Sequence, residues 1–438
     1  MTSSAVPPAV QVAEPVQVDV RRVGVAAGGR VLMLVENTFY PHDPRVRREA
    51  RALVDAGFQV SVISPALPGQ LWRETIDGVR VYRYPVPPAA NGFLGYLLEY
   101  GYSMVMLFLV SLLVFLREGF DVIHVANPPD TLALIAAGYK LLGKRLVYDH
   151  HDLAPEMYYA RFPGRGSRLV HSALVLFEKL SCRLADHVIA TNESYKKMEM
   201  ERGGVREACI TIVRNGTDLH RMRPVEPDCA LRSMKKTIIG FAGVMGFQDG
   251  VDYLLRALHY LVRDLDRTDF YCVLIGGGDA LADLKRLTRH LALDEYVRFT
   301  GYLFGEDLVR VLSAADICVG PDPSNPYNDR STMMKLMEYM ALCKPIVAFD
   351  LPEHRVTAQE AAVYVTPNDE RAFARALATL MDDPARRQAM GAAGRGRVER
   401  ELAWHYSIPK LLEAYRRLLP GPRRETSRGH CELLQGQD

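Results

Sequence analysis

The chain has 438 residues, 48% of them hydrophobic and 24% charged, which is ordinary for a globular protein. It is long for one core, so two domains of about 200 residues each are expected. Fifty-four basic against 52 acidic residues give no reason to expect a nucleic-acid partner. Seven cysteines, at 182, 209, 229, 272, 318, 343 and 431, have no CxxC or Cys/His spacing, which argues against a zinc site or disulfide frame and for reduced cytosolic thiols.

Residues 1–28 lack a continuous apolar run and read as a flexible lead-in, not a signal peptide. Strand "RVLMLVEN" is followed by a helix across "DPRVRREARALVDAG", then by strands "QVSVIS" and "VRVYRYPV". A long apolar stretch comes next. Its uninterrupted part, Tyr102 to Leu116, is 15 residues, short of the roughly 20 needed to span a bilayer. A buried core helix is the expectation, with contact of 94–116 to a membrane surface as the alternative. "DVIHVAN", a helix over "TLALIAAGYKLLG", "RLVYDHH", a helix near 167–184 and "HVIATN" complete the first alternating unit.

The rhythm restarts at "TIIGFAGV" (237–244) and runs through "FYCVLIGGGD", "YVRFTGYL", "DICVGP" and "PIVAF", with helical segments between. Strand–helix alternation of this kind predicts an α/β protein with two doubly wound, Rossmann-like parallel-sheet domains. The expected layout is 29–217, 218–404, a helix at 405–419 that crosses back, and a flexible tail at 420–438.

In such sheets ligands sit beyond the carboxyl ends of the strands, so the loops there hold the candidates. After the first strand, His42 sits in a loop, and Arg45, Arg47 and Arg48 open a helix; they present cations to an anionic acceptor or form a solvated helix face. His124 ends a strand, with Asn127 and Asp130 in the next loop. His151 and Asp152 end another, beside Asp149 and His150. Adjacent histidines on a strand point to opposite sides, which disfavours one shared metal ion and favours hydrogen bonding to substrate, with core histidines as the bland reading. The glycine-rich turns "FAGVMGFQDG" and "LIGGGDA", with Gly243, Gly246, Gly276 and Gly277, offer backbone N–H groups to a diphosphate or base. Gly301 of "VRFTGYL" belongs to the same edge. There is no Walker A, GxSxG or HExxH motif.

The segment "NDRSTMMKLMEYMALCKPIVAFD" from Asn328 is the most informative. At 100° per residue Ser331, Lys335 and Glu338 share one narrow face of an otherwise apolar, hence buried, helix. Asp329, Ser331 or Thr332 is expected to cap its start. The bland reading is a Lys335–Glu338 pair that neutralises itself. The sharper one is a ligand cleft lined by an ammonium and a carboxylate beside a helix N-terminus.

Taken together, "DPRVRREARALVDAGFQVSVIS", "FDVIHVAN", "ADHVIATNESYKKM", "IVRNGTDLHRMRP", "VRFTGYL", "LVRVLSAADICVGP" and "KLMEYMALCKPIVAFD" resemble the family 4 glycosyltransferases in order and spacing, from about residue 30 to 419. The resemblance implies the GT-B fold and retaining transfer from a UDP- or GDP-linked sugar, with no other cofactor and no metal. It implies a carbohydrate or polyprenyl-linked acceptor in surface or exopolysaccharide assembly, and a cytoplasmic enzyme on the inner face of the plasma membrane.

Carried over by position, Glu338 holds the donor ribose, and His124 and His151 face the substrate. Arg330 stands where the family has its first Glu, Ala126 where it often has a second His, and Asp249-Gly250 where it has Lys-Gly. Lys335 and Arg330 are the replacement cations at the diphosphate. Ser331 and Thr332 complete the donor set, and His42, Arg45, Asn127, His151 and Asp152 the acceptor set. Two other readings compete: a GT-B binding or scaffold subunit that has lost catalysis, and a nucleotide-sugar epimerase. The epimerase needs an acid/base pair at the cleft that the sequence does not offer.

Overall fold

The computed structural model describes residues 29–86, 92–162, 164 and 166–419, with backbone only at 92–94, 96 and 97. The lead-in at 1–28 and the tail at 420–438 lie outside the described residues. The first half contains β1 (Arg30–Leu34), α1 (Pro44–Asp55), β2 (Gln59–Pro65), β3 (Arg73–Ile76), β4 (Val79–Tyr84), α2 (Gly92–Arg117), β5 (Val122–Ala126), α3 (Leu132–Lys140), β6 (Arg145–His150), α4 (Ala154–Arg161), α5 (Arg168–Leu184), β7 (His187–Ala190), α6 (Glu193–Glu201) and β8 (Ile210–Ile212). Its eight strands pair in the order β3-β4-β2-β1-β5-β6-β7-β8, parallel throughout except for the β3–β4 hairpin.

The second half contains α7 (Cys229–Ser233), β9 (Thr237–Ala242), α8 (Val251–Arg263), β10 (Phe270–Ile275), α9 (Leu281–His290), β11 (Val297–Gly301), α10 (Gly305–Ala314), β12 (Ile317–Gly320), α11 (Met334–Ala341), β13 (Ile346–Phe349), α12 (Pro352–Ala358), β14 (Ala362–Val365), α13 (Glu370–Met381), α14 (Pro384–Arg397) and α15 (Ile408–Leu418). Its six strands run parallel in the order β11-β10-β9-β12-β13-β14. Both sheets reverse strand order beside their first strand, which places a crevice at each carboxyl edge.

Strands covered on both faces read as continuous apolar runs, and each sheet is sandwiched in this way. On the first, Leu107, Val114, Leu132 and Tyr139 from α2 and α3 cover one face, while Val46, Leu53, Leu411 and Tyr415 from α1 and α15 cover the other. So α15, the last described helix, does cross back: Tyr415 meets Phe58 edge-on at 5.7 Å.

Two elements depart from the sequence reading. The long helix α2 continues through Glu99, and its Leu98–Arg117 segment, of mean hydropathy 1.8, is long and apolar enough to cross a membrane. Only 22% of that apolar window is buried, so it is not the enclosed core helix expected. Its outer face is open. The second departure is α11. It begins at Met334 with Met333 as N-cap and no side-chain cap, after a 3₁₀ turn at Asn328–Arg330. Ser331 and Thr332 therefore precede the helix, and the polar stripe reduces to Lys335 and Glu338.

Candidate active site

The site forms where the carboxyl edges of the two sheets meet. From the second sheet come the β9–α8 turn, the β10–α9 turn and the segment 321–333 leading into α11. Gly276 is a required glycine: at φ 128° an added Cβ would lie 1.9 Å from the Gly243 carbonyl oxygen, because the two turns lace together. Gly250, at φ 68°, opens α8 with no room for a Cβ beside the Pro321 carbonyl.

That lacing corrects one expectation. The N–H of Gly243 donates to Ile275 O at 3.0 Å, that of Gly276 to Gly301 O at 2.8 Å, and that of Gly246 to the Asp249 carboxylate at 2.9 Å. These three N–H groups shape the turns and are not free for a diphosphate. Asp249 is partly exposed, and burial pushes its carboxyl up to about 6, with Lys335 opposing and Asp322 adding to the shift.

Lys335 is 8% exposed and donates to Asp322 Oδ1 at 2.6 Å, with its ammonium 4.9 Å from the centre of the Phe241 ring. Its partner is thus Asp322, at the end of β12, and not Glu338. An ammonium has three N–H donors, so one ion pair leaves capacity for a ligand oxygen. The second Asp322 oxygen has no hydrogen bond and lies 3.6 Å from His354 Nε2.

Glu338 is partly exposed, and among the described residues its carboxylate takes no hydrogen bond. Burial raises its carboxyl, against the pull of Arg48 and Arg221. Arg48 reaches this place from the first sheet's α1. Its guanidinium lies 5.2 Å from the Trp404 ring centre, and one of its nitrogens is buried without a partner. Burial and the nearby Arg45 lower Arg48 to about 10. Arg330, by contrast, turns its guanidinium back onto the Pro326 carbonyl.

The two halves are tied through 327–332. Asn192 Nδ2 donates to Arg330 O at 2.8 Å and Thr332 Oγ1 at 2.9 Å, and the Tyr195 hydroxyl lies 3.2 Å from Ser331 Oγ. Tyr327 donates to Asp152 at 2.8 Å, and Ser194 to Glu353 at 2.6 Å. The hydroxyls of Ser331 and Thr332 therefore serve this interdomain seam.

On the first sheet, His42 is exposed and His151 partly so, with its Nδ1 3.3 Å from Asp149. Asn127 is buried and organises its loop: it donates to Asp130 Oδ1 and Asp152 O, and accepts from the N–H groups of His151 and Asp152. Arg45 and His124 are not presented to the cleft. Arg45 is 3% exposed and donates to Asp149 at 2.7 Å, to Val213 O and to Asn215. His124 is fully buried, with Nδ1 2.7 Å from the Tyr415 hydroxyl of α15. Burial raises the Glu49 carboxyl there; Asp149, which burial alone would also raise, is held well below the usual range by Arg45.

Glu49, His124 and Asp149 each offer a ligand atom within 4.8 Å of the others. The Arg45 guanidinium already stands against both carboxylates, 3.1 Å from Glu49. A side chain thus occupies the place of a cation. Sequence reasoning missed Asp322, Asn192, Tyr195, Tyr327 and Glu353 as parts of the cleft, while Arg48 was among the cations it offered there. The signal available was position: "GPDP" and "ATNES" both follow strands that end at the same crevice.

Two parallel-sheet domains facing one cleft define the GT-B architecture. The description "Glycosyl transferase 4-like domain" matches residues 42–216, and "Glycosyl transferases group 1" matches 236–383. The chain belongs to the family 4 glycosyltransferases. It is 27% identical over 268 residues to a D-inositol 3-phosphate glycosyltransferase of Kineococcus radiotolerans, a match covering 56% of this chain and 60% of that one. The match thus spans less than two thirds of that relative. In fold the chain resembles the sucrose-phosphate synthase of Thermosynechococcus elongatus, with TM-score 0.72, 20% identity, and coverage of 89% of this chain and 99% of that one. It also resembles an Anabaena protein solved in complex with UDP-glucose, with TM-score 0.65, 15% identity, and coverage of 88% and 99%.

Proposed function

We propose that the chain transfers a sugar, with retention, from a UDP- or GDP-linked donor to a carbohydrate or lipid-linked oligosaccharide in polysaccharide assembly. Catalysis needs no metal ion and takes place at the cytoplasmic side of the membrane, where residues 94–116 contact the bilayer. The observation that carries the reading is Glu338. It is a partly exposed carboxylate, without a hydrogen bond among the described residues, one helical turn from Lys335 and with Arg48 and Arg221 nearby. Such a carboxylate suits the two hydroxyls of a ribose.

The barrier in such a reaction lies in departure of the nucleoside diphosphate, whose growing charge a preorganised cation stabilises. Lys335 supplies that cation through the N–H donors that Asp322 leaves free. Asp322 keeps the ammonium aimed before the donor arrives. The departing phosphate oxygen can itself take the acceptor hydroxyl proton, so no separate base is required.

Arg330 and Asp249, standing where the family carries a Glu and a Lys, favour a second reading: a GT-B subunit that binds without turnover. A thermal-shift screen of UDP-, GDP- and ADP-sugars identifies the donor, because a ligand that binds only the folded state raises the melting temperature. Release of nucleoside diphosphate from that donor without acceptor then supports the transferase. A bound donor that is never cleaved, with or without added glycan acceptors, supports the binding subunit.

A further inference from the structure

We infer that α2, α3 and α5 together form a docking face for an anionic lipid bilayer. The inference extends the lipid-linked-acceptor reading above from one helix to a built surface. The three helices lie side by side on one face of the first sheet, with α3 packed against both others. Each turns large aliphatic side chains outward at helical spacing: Leu98, Val105, Leu109, Leu112 and Leu116 on α2, Leu134 on α3 and Leu141 at its C-cap, and Leu169 and Leu176 on α5. Several are more than half exposed, including Leu141 at 90%, Leu169 at 80% and Leu116 at 74%. Soluble monomers seldom leave so many large apolar groups exposed on adjoining helices.

The charge around it selects the occupant. Arg117, Arg168 and Arg183 are exposed, Lys179 is partly exposed, and none of the four forms an ion pair among the described residues. The acids on the three helices are Glu99, only partly exposed, and Glu178, which is buried against Arg202. Apolar side chains fringed by unpaired bases suit the boundary between anionic headgroups and acyl chains. A second copy of the chain fits poorly, since two-fold pairing would bring base against base. The face lies flat and does not span, because β5 follows α2 back into the same sheet. Since β4 runs parallel to β2, α2 starts at the carboxyl edge of the sheet, so docking sets the cleft mouth beside the lipid.

The test is co-sedimentation of the full chain with phosphatidylcholine vesicles, with and without phosphatidylglycerol. Binding is expected only with phosphatidylglycerol and should weaken with salt. Leu109→Glu with Leu141→Glu, and separately Arg168→Glu with Arg183→Glu, should each reduce it ~10-fold or more. Melting temperature and the thermal shift with nucleotide sugars should stay unchanged in both variants, which separates failure of docking from failure of the transferase reading. Equal binding by wild type and variants overturns the inference. So does a dimer in light scattering that the leucine variant dissolves, or membrane attachment that resists alkaline extraction.

Discussion

Replacing Lys335 by Met tests whether its ammonium acts on the donor or only neutralises Asp322. Asp322 is fully buried, its Oδ1 accepts from Lys335 at 2.6 Å, and its other oxygen has no hydrogen bond. Removing the ammonium strands a buried carboxylate, which costs about 3–5 kcal/mol. For a domain of this size each kcal/mol lowers the melting temperature by about 2–4 °C, so a fall of about 6–20 °C is expected. Adding Asp322→Asn removes the stranded charge and should restore most of the stability. Turnover should not return with it: donor cleavage in the double variant should stay ~100-fold or more below wild type, the effect of losing one preorganised charge contact. The assay pairs thermal unfolding with release of nucleoside diphosphate from the nucleotide sugar that gives the largest thermal shift. A double variant that is stable and cleaves donor at the wild-type rate would refute the role given to Lys335.

Asp249 has a raised carboxyl, so the folded state holds its proton in a range where the unfolded chain has already released it. Stability should therefore fall as pH rises from about 4 to about 6, and Asp249→Asn should flatten that slope in urea unfolding at stepped pH. The same variant, having lost a negative charge beside Lys335, should bind donor more tightly at neutral pH by calorimetry. Arg45→Met leaves Glu49 and Asp149 buried without their guanidinium and should destabilise by about 3–5 kcal/mol, read as a lower urea midpoint. On the proposed mechanism, in which Lys335 takes the cationic position at the donor diphosphate, EDTA should leave donor turnover intact; loss in EDTA restored by magnesium or manganese would contradict this.

The strands were legible because parallel, doubly covered strands are apolar end to end, as in "IVAF" and "RVLML". Short edge elements were not: β3 alternates exposed and half-buried residues, and β8 has only three residues. Helix α14 was equally silent in sequence. Its glycines serve packing, with Gly391 so close to the Cys343 carbonyl that a Cβ would sit 2.1 Å away. In the site, helical period alone put Lys335 and Glu338 on one face. It could not supply Asp322, thirteen positions away in sequence and delivered by the end of another strand. Arg45 misled for a related reason. Arginines seldom lie buried, and Asp149, placed two strands along the sheet at β6, joins Glu49 in compensating that burial.

The misplaced helix start shows how the two domains share one piece of machinery. Ser331 and Thr332 have the chemistry of N-caps, but their hydroxyls meet Tyr195 and Asn192 from the opposite domain instead. Tertiary contacts have overridden a local preference worth about 1 kcal/mol. The consequence reaches the chemistry, because the seam residues 327–332 run directly into the first turn of α11, where Lys335 sits. Tyr327 and Asp152 fix one end of this segment, and Thr332 with Asn192 and Glu353 the other. The loops that end β6 and β7, in the first domain, therefore hold the segment that leads into Lys335 in the second. On the mechanism proposed above, the seam that joins the two domains thus leads straight into the cation that Asp322 aims.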